Sequence, residues 1–261
     1  MKKLLVYQGE TSNKFWLMEV YGTSYLLTYG KVGTKGASKA AVFASEETCQ
    51  REAEKLIASK LRKGYNEAES EAGIVRMEAM SEERFWDIIE KAHRKSSDGE
   101  EQAEYVMEAL MKMSIKEILE FDAIFNRLYM GSYTSDLWAA AYIILGGCSD
   151  DLFDYFRAWL ISQGRDVWSR VLENPENLIS IIEELPEDHY PENEEMISAA
   201  CVAFEEKTGH TDDDYYQLFE EYTHGAYTYP EIVFDWEQED DSLKSKFPAL
   251  WERFGENSMS V

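Results

Sequence analysis

SYLLTYGKVGTKGASKAAVF, residues 24–43, is the stretch whose reading decides the fold of the first part of this chain. Tyr25, Leu27 and Tyr29 alternate with Leu26, Thr28 and Gly30, the period of two that puts successive side chains on opposite faces of a strand. Gly30, Gly33 and Gly36 punctuate the strand's end and the loop after it, as suits a backbone that turns sharply or approaches another segment closely. KAAVF (39–43) then resumes as a further strand. Upstream, LLVYQ (4–8) and KFWLMEV (14–20) are equally short, rich in aromatic and branched residues, and bounded by turn residues. Downstream, Ser45 opens a helix that runs to about Lys63 and stops at Gly64, with Ala53, Leu56, Ile57 and Leu61 at helical spacing. Four strands and one helix over residues 1–65 make a small α+β domain.

Residues 66–80 (NEAESEAGIVRMEAM) are acidic and weakly patterned, and they read as a linker. From Ser81 the pattern is helical almost throughout, which predicts an all-α domain over 81–255. Ser114 with Glu117 forms a capping box before an amphipathic stretch that ends near Met130. Thr134 or Ser135 opens DLWAAAYIIL, apolar nearly all round and so a central buried helix ended by Gly146 and Gly147. Ser149 caps a helix with a wide stripe of Leu152, Phe153, Phe156, Trp159 and Leu160. Asn174–Pro175 reads as a cap followed by proline at the first helical position, and Pro191 leads similarly into MISAACVAF.

Composition excludes several classes. With 44% hydrophobic and 13% aromatic residues among 261, the chain buries a core and is not disordered. No apolar run is long enough for a membrane span, and the start lacks a signal-peptide pattern. Cys49, Cys148 and Cys201 lie far apart and leave one unpaired, which predicts a reduced, cytoplasmic setting and no structural zinc. His93, His189, His210 and His224 show no metal-ligand spacing, so no metal or cofactor is expected. The net charge of −25 is uneven. Residues 1–65 hold 11 Lys/Arg against 6 Asp/Glu, a balance of +5, which leaves −30 for the rest.

The residues Asn13, Lys14, Phe15, Tyr29, Gly30, Lys31, Val32, Gly33, Thr34, Gly36, Lys39, Phe43, Lys63, Gly64 and Tyr65 together resemble the WGR domain. That family takes its name from a Trp-Gly-Arg turn at a strand end and occurs in poly(ADP-ribose) polymerases and bacterial regulators. This chain has Tyr29 and Lys31 where the family has Trp and Arg. The resemblance implies contact with nucleic-acid ends at these positions. Tyrosine can still stack and lysine can still neutralise a phosphate, without arginine's bidentate fork. The remainder resembles a bacterial family of unknown function, on FWDIIEKA (85–92), the block at 135–168 and FPALWERF (247–254). That second resemblance implies a fold unit and no chemistry.

Three sets of residues compete for function. Tyr29, Lys31, Lys35, Lys39, Arg51 and Lys55 form a basic, aromatic set suited to phosphate on nucleic acid. Solvated lysines, or a basic face that docks on the chain's own acidic half, would explain the same charges. Asp150, Asp151, Arg157, Gln163 and Arg165 could line a polar pocket, and helix capping by Ser149, Asp150 and Asp151 explains part of that set. Cys148 reads either as a thiol of lowered pKa at a helix start or as a small buried hydrophobe. The runs at 173–195 and 235–241 supply an acidic surface that could engage a basic protein, as immunity proteins do, or simply keep the chain in solution. No phosphate-binding loop, dinucleotide fingerprint, nucleophile elbow or polymerase catalytic domain is present. The sequence therefore predicts a non-enzymatic binding or regulatory protein. Its basic unit would contact nucleic acid or a protein partner, with a membrane partner excluded. An antitoxin-like role for the acidic helices is the alternative.

Overall fold

Two short turns set the sheet of the computed structural model, which describes residues 1–76, 79–238 and 240–259. The strands are β1 (Lys2–Gln8), β2 (Asn13–Tyr21), β3 (Ser24–Lys31), β4 (Ala37–Val42) and β5 (Asn66–Glu67). They pair antiparallel in the order β4-β3-β2-β1-β5. Gly22, at φ 46°, makes the hairpin between β2 and β3 with only two residues outside the ladder. Tyr21 thereby faces Ser24, and the register continues through Trp16 against Tyr29 to Lys14 against Lys31. The fifth strand arises at the start of the stretch read as a linker. Asn66 pairs with Val6, and Val75, 7% exposed, packs against Leu4, Phe15 and Leu17. Residues 77 and 78 of that stretch lie outside those described.

The two sheet faces have different covers. Leu5, Trp16 and Met18 point to α1 (Glu46–Arg62), which lays Ala53 and Ile57 on them. Ser45 caps that helix by accepting from the Thr48 N–H, and Gly64 follows its end at φ 86°. Phe15, Leu17, Leu4 and Val6 point the other way, onto Val75, Ile74 and Ala68.

Beyond Ser81 the elements are helical: α2 (Glu82–His93), α3 (Gly99–Met111), α4 (Ile115–Gly131), α5 (Ser135–Leu145), α6 (Asp150–Ser162) and α7 (Arg165–Glu173). A 3-10 turn at Pro175–Asn177 precedes α8 (Leu178–Glu183), α9 (Glu195–Thr208), α10 (Asp212–Thr223), α11 (Asp240–Lys246) and α12 (Pro248–Phe254). The fold is thus α+β: an antiparallel sheet with a helix, followed by a mostly helical region. The capping box of α4 is reciprocal, Ser114 N–H donating to Glu117 at 2.8 Å and Glu117 N–H to Ser114 Oγ at 3.2 Å. Helix α9 starts later than Pro191 suggests, because Asn193 Oδ1 accepts the Met196 N–H at 3.1 Å.

By internal contacts the chain forms two compact units. One comprises Met1–Ser81, Glu108–Ala123 and Ala200–Ala226; the other comprises Glu82–Met107, Ile124–Ala199 and Tyr227–Val261. Helical residues therefore join the sheet's own unit, on the side away from α1. Glu19, 4% exposed, meets Lys116 of α4 at 3.0 Å. Glu221 of α10 accepts the Thr23 N–H at 2.7 Å. Tyr215 of α10 donates to Asp122 of α4 at 2.5 Å. In the other unit, α5 is buried almost all round, as its apolar sequence requires. Trp138 stacks on Phe153 of α6 at 4.5 Å, and Leu250 and Phe254 of α12 close the same core.

Candidate nucleic-acid interface

The register of β2 and β3 puts Lys14 directly opposite Lys31, on the face that also carries Trp16, Tyr29 and α1. Like charges facing each other across strands destabilise a sheet. Neither lysine has an ion-pair partner among the described residues, and the same holds for Lys39, Lys60 and Lys63. Lys39 lies opposite Leu27 and so shares this face. Lys60, in the last turn of α1, holds its ammonium 5.8 Å from the Trp16 ring centre and 5.1 Å from that of Tyr65. Burial, and then the like charges of Lys63 and Lys14, keep the Lys60 ammonium below the ordinary lysine range. Tyr65 leans on Tyr7 at 5.6 Å and extends the aromatic strip. Lys14, Lys31, Lys39, Lys60 and Lys63 thus lie on the α1 side of the sheet with the buried Trp16 and the half-buried Tyr29 and Tyr65, and no carboxylate among the described residues is paired to them.

The glycines of the turn have a steric reason. A Cβ on Gly30 would lie 2.7 Å from the Gly36 Cα, and one on Gly36 would lie 2.6 Å from the Tyr29 carbonyl oxygen. Gly36 also sits at φ 74°. The loop can fold back behind Tyr29 only because both positions lack a side chain.

The six sequence-predicted residues are divided. Tyr29, Lys31 and Lys39 stand together on the α1 face. Lys35 lies with Thr28, Arg76 and Glu117 on the other side, its Nζ 3.5 Å from Glu117. Arg51 and Lys55 point outward from α1, roughly opposite its buried Cys49–Ala53–Ile57 stripe, and both approach Glu52, at 3.8 and 2.7 Å. Sequence reasoning missed Lys14, Lys60 and Lys63 as site residues. The two-residue hairpin at Gly22–Thr23 carried the signal for Lys14, since it fixes which residue faces Lys31.

The predicted pocket set is not brought together. Asp150 and Asp151 are exposed in the first turn of α6, which Ser149 caps through the Leu152 N–H. Arg157 is fully buried in the same helix, bonded to Asp154 and to the Tyr129 carbonyl (2.8 Å), with its guanidinium 3.7 Å from the Tyr129 ring centre. Gln163 and Arg165 lie past the far end of α6, about 20 Å from Asp150 at 1.5 Å per residue. Cys148 is not an activated thiol: burial, then Asp150 and Asp154, push it up to about 12. The acidic run at 235–241 includes residue 239, which lies outside those described.

An antiparallel sheet, one helix across a face and a glycine-tight turn bearing an aromatic and a cation define a small sheet-and-helix module. Residues 3–72 match the WGR domain, and residues 80–206 match a protein family of unknown function (DUF4240). The two family matches follow one another along the chain in the order the resemblances imply. It is 49% identical over 67 residues to uncharacterized protein YfeS of Escherichia coli K12, a match covering 26% of this chain and 28% of that protein. It is 42% identical over 62 residues to protein YehF of the same organism, covering 24% and 23%. The chain thus spans less than a third of the length of either relative. A crystal structure of a Bacteroides fragilis protein aligns with 42% of this chain and 38% of its own, at 28% identity and a TM-score of 0.28. No helix among the described residues is long and apolar enough to cross a membrane.

Proposed function

We propose that the protein binds phosphate-bearing nucleic acid without catalysing a reaction, through the α1 face of its WGR domain. One observation carries the reading: Lys14 and Lys31 oppose each other without an acidic partner, beside Trp16 and Tyr29 and next to Lys60. An anion between the two ammonium groups removes a repulsion that folding leaves in place. The aromatic floor offers Tyr29 for stacking on a base or sugar. The docking alternative, in which the basic residues serve the chain itself, is met by Lys35 with Glu117 and by Lys2 with Glu19 and Glu71. Those contacts involve a different set of lysines.

Fluorescence anisotropy with short DNA and RNA duplexes tests the reading, using the full chain because α4 and α10 contribute to the sheet's own unit. If four phosphates are neutralised, log affinity falls with log salt at a slope of about −3.6 or shallower, from ~0.9 per contact less the screened repulsion of the acidic remainder. Lys14→Ala and Lys31→Ala should each reduce the slope by about one, and Tyr29→Ala should weaken binding at unchanged slope. Lys55→Ala should leave both quantities as they are. Absence of binding at ~50 mM salt by a folded chain overturns the proposal.

A further inference from the structure

Helices α2, α3, α6, α7 and α8 contribute to a cavity of about 470 Å³, a size that suits small ligands. Its wall contains Gln102 of α3, only 3% exposed. The Gln102 Nε2 donates to the Ser162 carbonyl at 2.8 Å and the Ile89 carbonyl at 3.4 Å, which uses both amide hydrogens and fixes the amide. Its Oε1 has no donor among the described residues and is not sealed off, so it is the acceptor that Gln102 offers to the cavity. Gln163 repeats the arrangement, with Nε2 donating to the Trp159 carbonyl at 3.3 Å and Oε1 left over. Neither oxygen is sealed from solvent, so each is an acceptor that a donating ligand can reach in place of water.

The charges of the lining favour a cation. Three carboxylates, those of Asp98, Glu184 and Glu192, line the cavity against the single guanidinium of Arg170, and the imidazoles of His93 and His189 also stand in its wall. Asp98 accepts from the Glu101 N–H at 2.8 Å and the Ser97 hydroxyl at 3.0 Å, bonds that hold its carboxyl below the usual aspartate range. Arg170 turns its Nε to the Asp166 carbonyl at 3.4 Å, within its own helix. Trp159 gives the cavity an apolar wall. No group of three His, Cys, Asp or Glu among the described residues is arranged to hold a metal ion.

We propose that this cavity binds a small organic cation with a primary ammonium group, whose N–H donors reach Gln102 Oε1 and Gln163 Oε1 and whose charge the rim carboxylates balance. The site is separate from the lysine face, and neither proposal depends on the other.

Isothermal titration of the full chain with putrescine, and with 1,4-butanediol as its neutral isostere, tests the inference. Putrescine should give saturable one-to-one binding and the diol none. Glu184→Gln with Glu192→Gln, both exposed, should weaken putrescine at least about tenfold, the equivalent of one charge-assisted hydrogen bond. Glu46→Gln with Glu47→Gln on α1 makes the same change in net charge and should leave affinity unchanged. No saturable heat up to ~10 mM putrescine overturns the proposal, as does equal binding of the diol or an equal loss in the α1 variant.

Discussion

Glu19→Gln removes a charge while keeping the shape of a side chain on which the sheet's unit closes. Glu19 is 4% exposed, and its Oε1 lies 3.0 Å from Lys116 Nζ and 3.2 Å from Lys2 Nζ. Burial works against the charged carboxylate, and the two ammonium groups outweigh it, so the carboxyl is held below the ordinary glutamate range. Deleting one member of a fully sealed ion pair costs ~3–5 kcal/mol. Here Lys2 keeps 48% of its side chain in water and has Glu71 as a second partner, and Lys116 keeps 18%. The expected loss is therefore smaller, about 2 kcal/mol at neutral pH. Because the folded pKa lies below the unfolded one, this contribution is fully present above the unfolded value of ~4.3. It disappears as pH falls through the lower folded value. Urea denaturation of both proteins at pH 7 and near pH 3 measures it. The gap should be about 2 kcal/mol at pH 7 and should narrow on acidification. A gap under about 0.5 kcal/mol at pH 7, or one that widens in acid, refutes the reasoning.

Two further substitutions probe the turn and the helical core. Gly36→Ala meets the Tyr29 carbonyl at 2.6 Å and a φ of 74°, and should cost about 1–3 kcal/mol in urea denaturation while weakening nucleic-acid binding through displacement of Tyr29. Trp138→Ala and Trp159→Ala, at 8% and 4% exposure, should each cost ~3–5 kcal/mol as large aromatic cavities, and losses under about 1 kcal/mol would show that these rings do not hold the core.

How much of this was legible in the sequence follows from how local each signal is. Strand alternation, the Ser45 cap, the Ser114–Glu117 box and the all-round apolar α5 depend on neighbours within a turn or two, and all appear where the sequence places them. The fifth strand was hidden because Asn66 and Glu67 carry no strand pattern; they pair only because β1 offers a free edge. The burial of Arg157 was hidden for a related reason. Asp154, three residues earlier in the same helix, pairs with it, but the rings of Tyr129, Tyr133 and Tyr229 that enclose it come from distant parts of the chain. Among the basic residues, helix phase separates Arg51 and Lys55 from the sheet, and Leu56 and Leu61, which share the apolar spacing of α1, are 37% and 40% exposed. Ala53 and Ile57 set the buried stripe, and Lys60 follows Ile57 by three residues onto it.

The charge asymmetry acquires a different meaning once the sheet has two faces. From the sequence, internal docking and phosphate binding compete for one pool of lysines. In the folded unit the pool is split. Lys2, Lys35 and Lys116 meet Glu19, Glu71 and Glu117 on the side where α4 and α10 pack, and these contacts neutralise charge within the chain. Lys14, Lys31, Lys39, Lys60 and Lys63 gather by the aromatic floor and meet no such carboxylates among the described residues. Two processes that draw on separate groups need not oppose each other. The acidic remainder still acts on an approaching polyanion over ~8 Å at physiological salt. Added salt therefore screens that repulsion as well as the attraction of the lysine face, so a measured salt slope understates the phosphate contacts made there.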